Sequence, residues 1–161
     1  MKRIFLGIIV FAVAGTMNAK NMHKVFGTSD KIIKGAPKIE IYSIDPIPVM
    51  SIEQIQGEDY IYDYHVLKVW SFKKKAANKL VLAVLDSTQY MPAVSKKCPF
   101  MGNYAIHFKK GMQSLTLVVS SNPCNKIIIF CPGSIVDKKH IDIIDQSAII
   151  AAIEALITPV I

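Results

Sequence analysis

Three cysteines, Cys98, Cys124 and Cys131, are the residues of this chain with the widest choice of chemistry. Their sulfurs can form a structural disulfide, exchange electrons or bind a metal. A redox pair usually stands as Cys-x-x-Cys at a helix N-terminus, and the chain has no such motif. A metal site needs three or four ligands at close spacing, which Cys98, His107 and Cys124 together would supply. We therefore predict a structural disulfide, with a thiol-redox or metal-binding role for these three residues as the alternative.

The predicted strand order indicates which cysteines pair. Cys98 precedes the first strand of a three-stranded meander and Cys124 follows the second, so both meet at one end of the ribbon. Cys131 ends the third strand, at the opposite end. Because a disulfide needs Cα atoms within about 7 Å of each other, we predict a Cys98–Cys124 bond with Cys131 as a buried free thiol. A Cys124–Cys131 bond is the alternative pairing.

The histidines, the acidic residues and the glycine and serine motifs of the chain give no pattern of a catalytic or cofactor site. We therefore predict no catalytic residue and no cofactor. The four histidines are His23, His65, His107 and His140. His65 and His107 fall within predicted strands, and neither has the spacing of a base beside a nucleophile. An acidic cluster lies among tyrosines, as in sites of sugar hydrolysis and equally as in solvated loops: Glu53, Glu58, Asp59 and Asp63, with Tyr60, Tyr62 and Tyr64. Neither a Gly-x-Ser-x-Gly elbow nor a glycine-rich phosphate loop occurs. The sequence thus favours a protein that is not an enzyme.

The first residues have the pattern of a secretory signal peptide. Lys2 and Arg3 precede an apolar run from Ile4 to about Ala14, and small residues suit cleavage after Ala14 or Ala19. The run is about half the roughly 20 residues that span a membrane. We predict a signal peptide over residues 1–19, a periplasmic or secreted protein, and no membrane span in its mature form.

The charge of the mature part comes from lysine alone. The net charge is +7, and removal of Lys2 and Arg3, the only arginine, leaves 7 − 2 = +5. Arginine supplies the planar fork that reads guanine edges, so we predict no specific nucleic-acid binding. Lysine still gives weak, salt-sensitive attraction to anionic surfaces. The partner is expected to be a ligand or protein that the sequence does not identify.

The hydrophobic pattern predicts one α+β domain over residues 38–161, after a flexible segment over residues 20–37. Period-two alternation and β-branched runs predict strands at 38–44, 60–70, 104–108, 114–120 and 126–131, with a further candidate at 140–144. Period-3.6 stripes predict helices at 73–86 and 146–157, the second capped by Asp145. Short links require antiparallel pairing. The expected fold is an antiparallel sheet of about five strands with two helices packed on one face.

Short motifs in the chain resemble those of a bacterial family of exported proteins of unknown function. The matches, over residues 39–130, are Tyr42-Ser43-Ile44-Asp45-Pro46, Tyr64-His65-Val66-Leu67, Cys98 with Ala105-Ile106, and the run from Val119 to Cys124. The chain lacks the Arg-His pair of the family pattern, with Asn103-Tyr104 standing nearby, and has Ser121 in place of an additional cysteine. The resemblance implies an exported protein that keeps the Cys98 and Cys124 framework, in agreement with a structural disulfide.

Export, a well-patterned core and the lack of an assembled site together predict the class of function. We expect an exported, non-enzymatic binding or envelope-accessory domain. The alternative is the thiol-redox or metal-binding protein that would use Cys98, Cys124 and His107.

Overall fold

A computed structural model describes residues 25–49, 60–91, 96–121, 123–130 and 138–158. The predicted signal peptide over residues 1–19, His23 and Cys131 lie outside these ranges, as do Glu53, Glu58 and Asp59. Within the described part of the chain, no helix is long and apolar enough to cross a membrane.

The described residues form one antiparallel sheet of eight strands. The strands are β1 (Lys38–Ile44), β2 (Tyr60–Ile61), β3 (Tyr64–Lys73), β4 (Tyr90–Met91), β5 (Gly102–Lys110), β6 (Gln113–Ser120), β7 (Lys126–Phe130) and β8 (Lys138–Ile143). Their order across the sheet is β2-β3-β1-β5-β6-β7-β8-β4. The short connections between β5, β6 and β7 give the predicted meander. β1 lies between β3 and β5 and pairs with both.

One face of the sheet carries the main core. Ile39 and Ile41 of β1 lie opposite Phe108 and Ile106 of β5, and all four side chains are fully buried. The alternation that made β1 predictable therefore places its isoleucines on the inner face.

Three helices of the described residues cover this face. They are α1 (Asp30–Gly35), α2 (Asn78–Val84) and α3 (Ala148–Ile157). Each contributes buried aliphatic side chains to the main core, represented by Ile33, Leu80 and Ile149. The α+β class with helices against an antiparallel sheet is thus as predicted.

A smaller core lies on the other face. Ile44, Tyr64, Ala105, Val118, Ile128 and Phe130 are buried there. Tyr62, which has the left-handed φ of 56° in the turn between β2 and β3, stacks on Phe130 with ring centroids 3.8 Å apart. This turn splits the single strand that the sequence predicted over residues 60–70.

The predicted counts of five strands and two helices are wrong, because the missing elements are short. β2 and β4 have two residues each, too few for alternation to be visible. α1 falls in the segment 20–37 that was predicted to be flexible, and its Ile32 and Ile33 are buried in the main core. A helix of this length depends on tertiary packing rather than on its own propensity, so its sequence gives little periodicity.

Two helix starts differ from the prediction. The helix predicted from residue 73 begins at Asn78, because Lys73 pairs with Lys38 as the last residue of β3. The predicted cap Asp145 instead forms an ion pair with Lys96, and Ser147 caps α3 by accepting a hydrogen bond from the Ile149 N–H at 3.2 Å.

Candidate functional site

Three lysines lie side by side at one end of the sheet. Lys38, the first residue of β1, is directly opposite Lys73 of β3 on one side and Lys109 of β5 on the other. Side chains at such positions share a face, with Cβ atoms about 5 Å apart, and like charges there repel each other. An anion bound across the three ammonium groups would relieve that repulsion. We call Lys38, Lys73 and Lys109 the lysine row.

Further lysines surround the lysine row. The Lys74 ammonium donates to the carbonyl oxygen of Lys34, and the Lys110 ammonium donates to the carbonyl oxygen of Lys31 at 3.5 Å. These contacts hold α1 against the ends of β3 and β5. Asp30 neutralises Lys34 through an ion pair of 2.6 Å. We call the lysine row together with Lys31, Lys34, Lys74 and Lys110 the basic end of the molecule.

Glu40 partly neutralises the lysine row. It follows Lys38 by two residues on β1, so the two side chains lie on one face. Its carboxylate accepts hydrogen bonds from the Lys38 ammonium at 2.8 Å and from the Tyr42 hydroxyl at 2.7 Å. The Lys38 bond, and then the Tyr42 bond, lower the pKa of Glu40. Burial and the neighbouring carboxylate raise the pKa of the Tyr42 phenol. The Glu40 carboxylate therefore offsets the charge of Lys38, one of the three lysines in the lysine row.

His107 lies directly opposite Glu40 on β5. Its Nδ1 is 2.9 Å from Oγ1 of Thr116, a buried residue of β6. Burial lowers the pKa of His107; the Glu40 carboxylate opposes this shift and Lys109 adds to it. The imidazole is consequently neutral at pH 7, and His107 forms part of the wall of a cavity.

A cavity of about 450 Å³ connects these groups. Its walls are Pro37, Lys38, Glu40, His107, Lys109 and Gly111. It combines two cations, an ionised carboxylate that is already hydrogen-bonded, and a neutral imidazole. Such a set suits an anionic group held by the lysines, with an additional polar contact to His107.

The predicted disulfide between Cys98 and Cys124 is present, with Cα atoms 5.9 Å apart. It lies where β5 begins and β6 ends, since Gly102 pairs with Ser120. The largely buried Lys126 ammonium reinforces this junction by donating to the carbonyl oxygens of Cys98 at 3.0 Å and Lys96 at 2.6 Å. The sulfurs and this lysine together fix the chain before β5 to the end of the sheet.

His107 is not brought to the two cysteines. It stands five positions beyond Gly102 on β5, about 17 Å at the usual rise of a strand, and its neighbour is Thr116. Among the described residues, no group of three or more histidine, cysteine, aspartate and glutamate side chains is arranged to hold a metal. Cys131 lies outside those residues.

The other predicted candidates take part in packing. His65 lies edge-on to Tyr60 at 5.3 Å between centroids, and His140 lies edge-on to Phe100 at 6.2 Å. Tyr64 is buried, and burial raises its pKa to about 12. Of the acidic cluster, Asp63 alone is among the described residues.

A second cavity, of about 590 Å³, opens where α3 begins. Its charged walls are the carboxylates of Asp145 and Glu154. The Gln89 side chain accepts a hydrogen bond from the Ala148 N–H at 2.7 Å, and the Ser147 hydroxyl accepts one from the N–H of Ile149, the second residue of α3. Side chains thus already accept from two of the N-terminal donors of α3, and the charged walls of this cavity are acidic, which makes the basic end the stronger candidate site.

Sequence reasoning missed the lysine row and Glu40. The alternation of β1 was a usable signal, because it places Lys38, Glu40 and Tyr42 on one face. The positions of Lys73 and Lys109 opposite Lys38 depend on strand register, which one strand's sequence does not specify.

No protein-family model, curated protein or solved structure matches this chain. The similarity of its motifs to exported bacterial proteins therefore stays a prediction, and function has to be inferred from the basic end itself.

Proposed function

We propose that this protein is an exported, non-enzymatic binding domain that uses its basic end to hold an anionic partner. The lysine row carries the proposal. Lys73, Lys38 and Lys109 are in register on three adjacent strands, a costly arrangement for the free protein and a favourable one when an anion lies across it.

Two observations support export. The chain begins with the pattern of a signal peptide, and Cys98 is bonded to Cys124. Disulfides persist in the periplasm and outside the cell, whereas the cytosol keeps most thiols reduced.

The hydrogen bonds of the acidic and imidazole groups support binding rather than catalysis. Glu40 is bonded to Lys38 and Tyr42, and His107 is bonded to Thr116. A catalytic base must reach the proton that it removes, whereas these groups shape and charge the cavity beside the lysines.

Heparin binding at increasing salt concentrations tests the proposal. We expect the Lys73→Gln/Lys109→Gln protein to bind less tightly than the unmodified protein. We plot the logarithm of the binding constant against the logarithm of the salt concentration. The slope of this plot should be less steep by about two for the double variant than for the unmodified protein, about one for each lysine that contacts the polyanion.

Lys68→Gln/Lys97→Gln is the matched control. It removes the same charge from exposed lysines outside the basic end, with Lys68 within β3 and Lys97 beside the disulfide. Its slope should remain close to that of the unmodified protein. Equal losses in the two double variants would show that attraction depends on net charge alone and would refute the proposed site.

A further inference from the structure

The turn between β5 and β6 presents an apolar side chain at the basic end. Lys110 pairs with Gln113, so Gly111 and Met112 are the two residues of the turn. Gly111 has a φ of 59°, the left-handed conformation that tight hairpin turns use at this position. Met112 is fully exposed. Its side chain therefore contributes no buried surface to the fold.

Met112 stands beyond the lysine row along the strand direction. Lys109 is level with Lys38, and Lys38 is level with Lys73. Met112 follows Lys109 by three residues and lies at the tip of the hairpin. Single exposed apolar residues are common on protein surfaces, but this one follows the two lysines that end β5. A flat partner that meets this end of the sheet therefore touches Met112 together with lysines.

The lysines of the basic end stand on both sides of the sheet. The lysine row lies on the face opposite the main core, because Lys38 alternates with the buried Ile39. Lys31 and Lys34 belong to α1, which packs on the face with the main core, and both are exposed. A partner that lies along one face reaches only one of these sets. An extended surface that faces the end of the sheet reaches both.

The excess positive charge is concentrated at the basic end. Its seven lysines, with the two carboxylates that pair with Lys34 and Lys38, carry 7 − 2 = +5. This equals the net charge of the chain after the predicted signal peptide, so the other charges of that part sum to zero. Such an asymmetric distribution turns this end of the protein toward an anionic surface.

We propose that the basic end docks on an anionic phospholipid bilayer, with its lysines at the headgroups and Met112 inserted at the boundary with the acyl chains. This inference rests on the proposed function and names its anionic partner. Lysines are attracted to the anionic headgroups, and the methionine side chain adds the transfer of apolar surface out of water. A soluble polyanion such as heparin offers the first contribution and lacks the second.

Sedimentation of the full-length protein with lipid vesicles tests the inference. We expect binding to vesicles of equal parts phosphatidylglycerol and phosphatidylcholine, and at least tenfold weaker binding to phosphatidylcholine alone. Met112→Ser should weaken binding to the mixed vesicles about tenfold, since a methionine side chain no longer leaves water, and should leave heparin affinity unchanged. Leu82→Ser is the matched control, because Leu82 is an exposed apolar residue of α2, and it should change neither affinity.

Fluorescence locates the inserted side chain. The emission of Met112→Trp should shift to shorter wavelength when mixed vesicles are added, and brominated acyl chains should quench it. The unmodified protein has a single tryptophan, Trp70, which packs against the main core, and it should show neither change.

The results separate the two proposals. Full vesicle binding by Met112→Ser, with weaker binding by Lys73→Gln/Lys109→Gln, would overturn insertion into a bilayer and leave the anionic site standing. Heparin binding without binding to the mixed vesicles would likewise overturn membrane docking alone and would favour a soluble acidic polymer or protein as the partner. Equal losses of heparin binding in the two double lysine variants would remove the premise of both proposals.

Discussion

Removal of the disulfide by Cys98→Ala/Cys124→Ala should lower the free energy of unfolding by about 3.5 kcal/mol. The bond closes a loop with a sequence separation of 26. The chain-entropy relation assigns about 3.5 kcal/mol to a loop of that size at 25 °C, through restriction of the unfolded chain. The folded protein should keep its sheet, because Lys126 still bonds the carbonyl oxygens of Lys96 and Cys98.

Urea denaturation followed by circular dichroism measures this loss. The midpoint should fall, and a loss of that size corresponds to about 10 °C in melting temperature for a domain of this length. The unmodified protein under reducing conditions provides the control and should show a similar loss. A variant within about 1 kcal/mol of the oxidised protein would refute the reasoning, since it would show that the bond contributes little restriction to the unfolded chain.

Three further changes have expected outcomes. Ser147→Ala removes the side-chain acceptor for the Ile149 N–H and should cost about 1 kcal/mol in chemical denaturation; an unchanged midpoint would contradict its role as the cap of α3. Gly111→Ala forces a side chain into a φ of 59° in the turn between β5 and β6 and should cost about 1 kcal/mol; a stabilised protein would contradict this. Heparin affinity should rise as the pH falls below 6.5, because His107, whose pKa is lowered, gains a positive charge in that range while Glu40, whose pKa is also lowered, stays ionised. The His107→Gln variant should show a smaller rise in affinity. An equal rise in that variant would assign the pH dependence to other groups.

Much of the sheet was predictable because its central strands are regular. β1 was predicted with the same bounds as observed, since Ile39 and Ile41 alternate with polar residues. The disulfide could be predicted because short links fix which strand ends meet. β4 has only two residues, and the main sequence signal of α1 is the pair Ile32–Ile33. Such short elements form because of tertiary packing, so the sequence alone does not predict them.

The candidate site was less predictable than the fold. His107 stood out in the sequence as a possible metal ligand, yet its neighbours in the structure are Glu40 and Thr116. The lysine row joins residues that are 35 and 36 positions apart along the chain, brought level by the pairing of β3 and β5 with β1. The lysine row therefore depends on the register of three strands. Hydrophobic alternation determines which face of the sheet a residue lies on, but it does not determine which residue of the next strand lies opposite.

Nuclear magnetic resonance of the lysine side chains during titration with a heparin oligosaccharide is the most direct test of anion binding at the basic end. We predict that the signals of Lys38, Lys73 and Lys109 shift together and saturate at one ligand concentration, while that of Lys97 stays in place. Shifts spread evenly over the lysines, or confined to residues away from the lysine row, would contradict the proposed site.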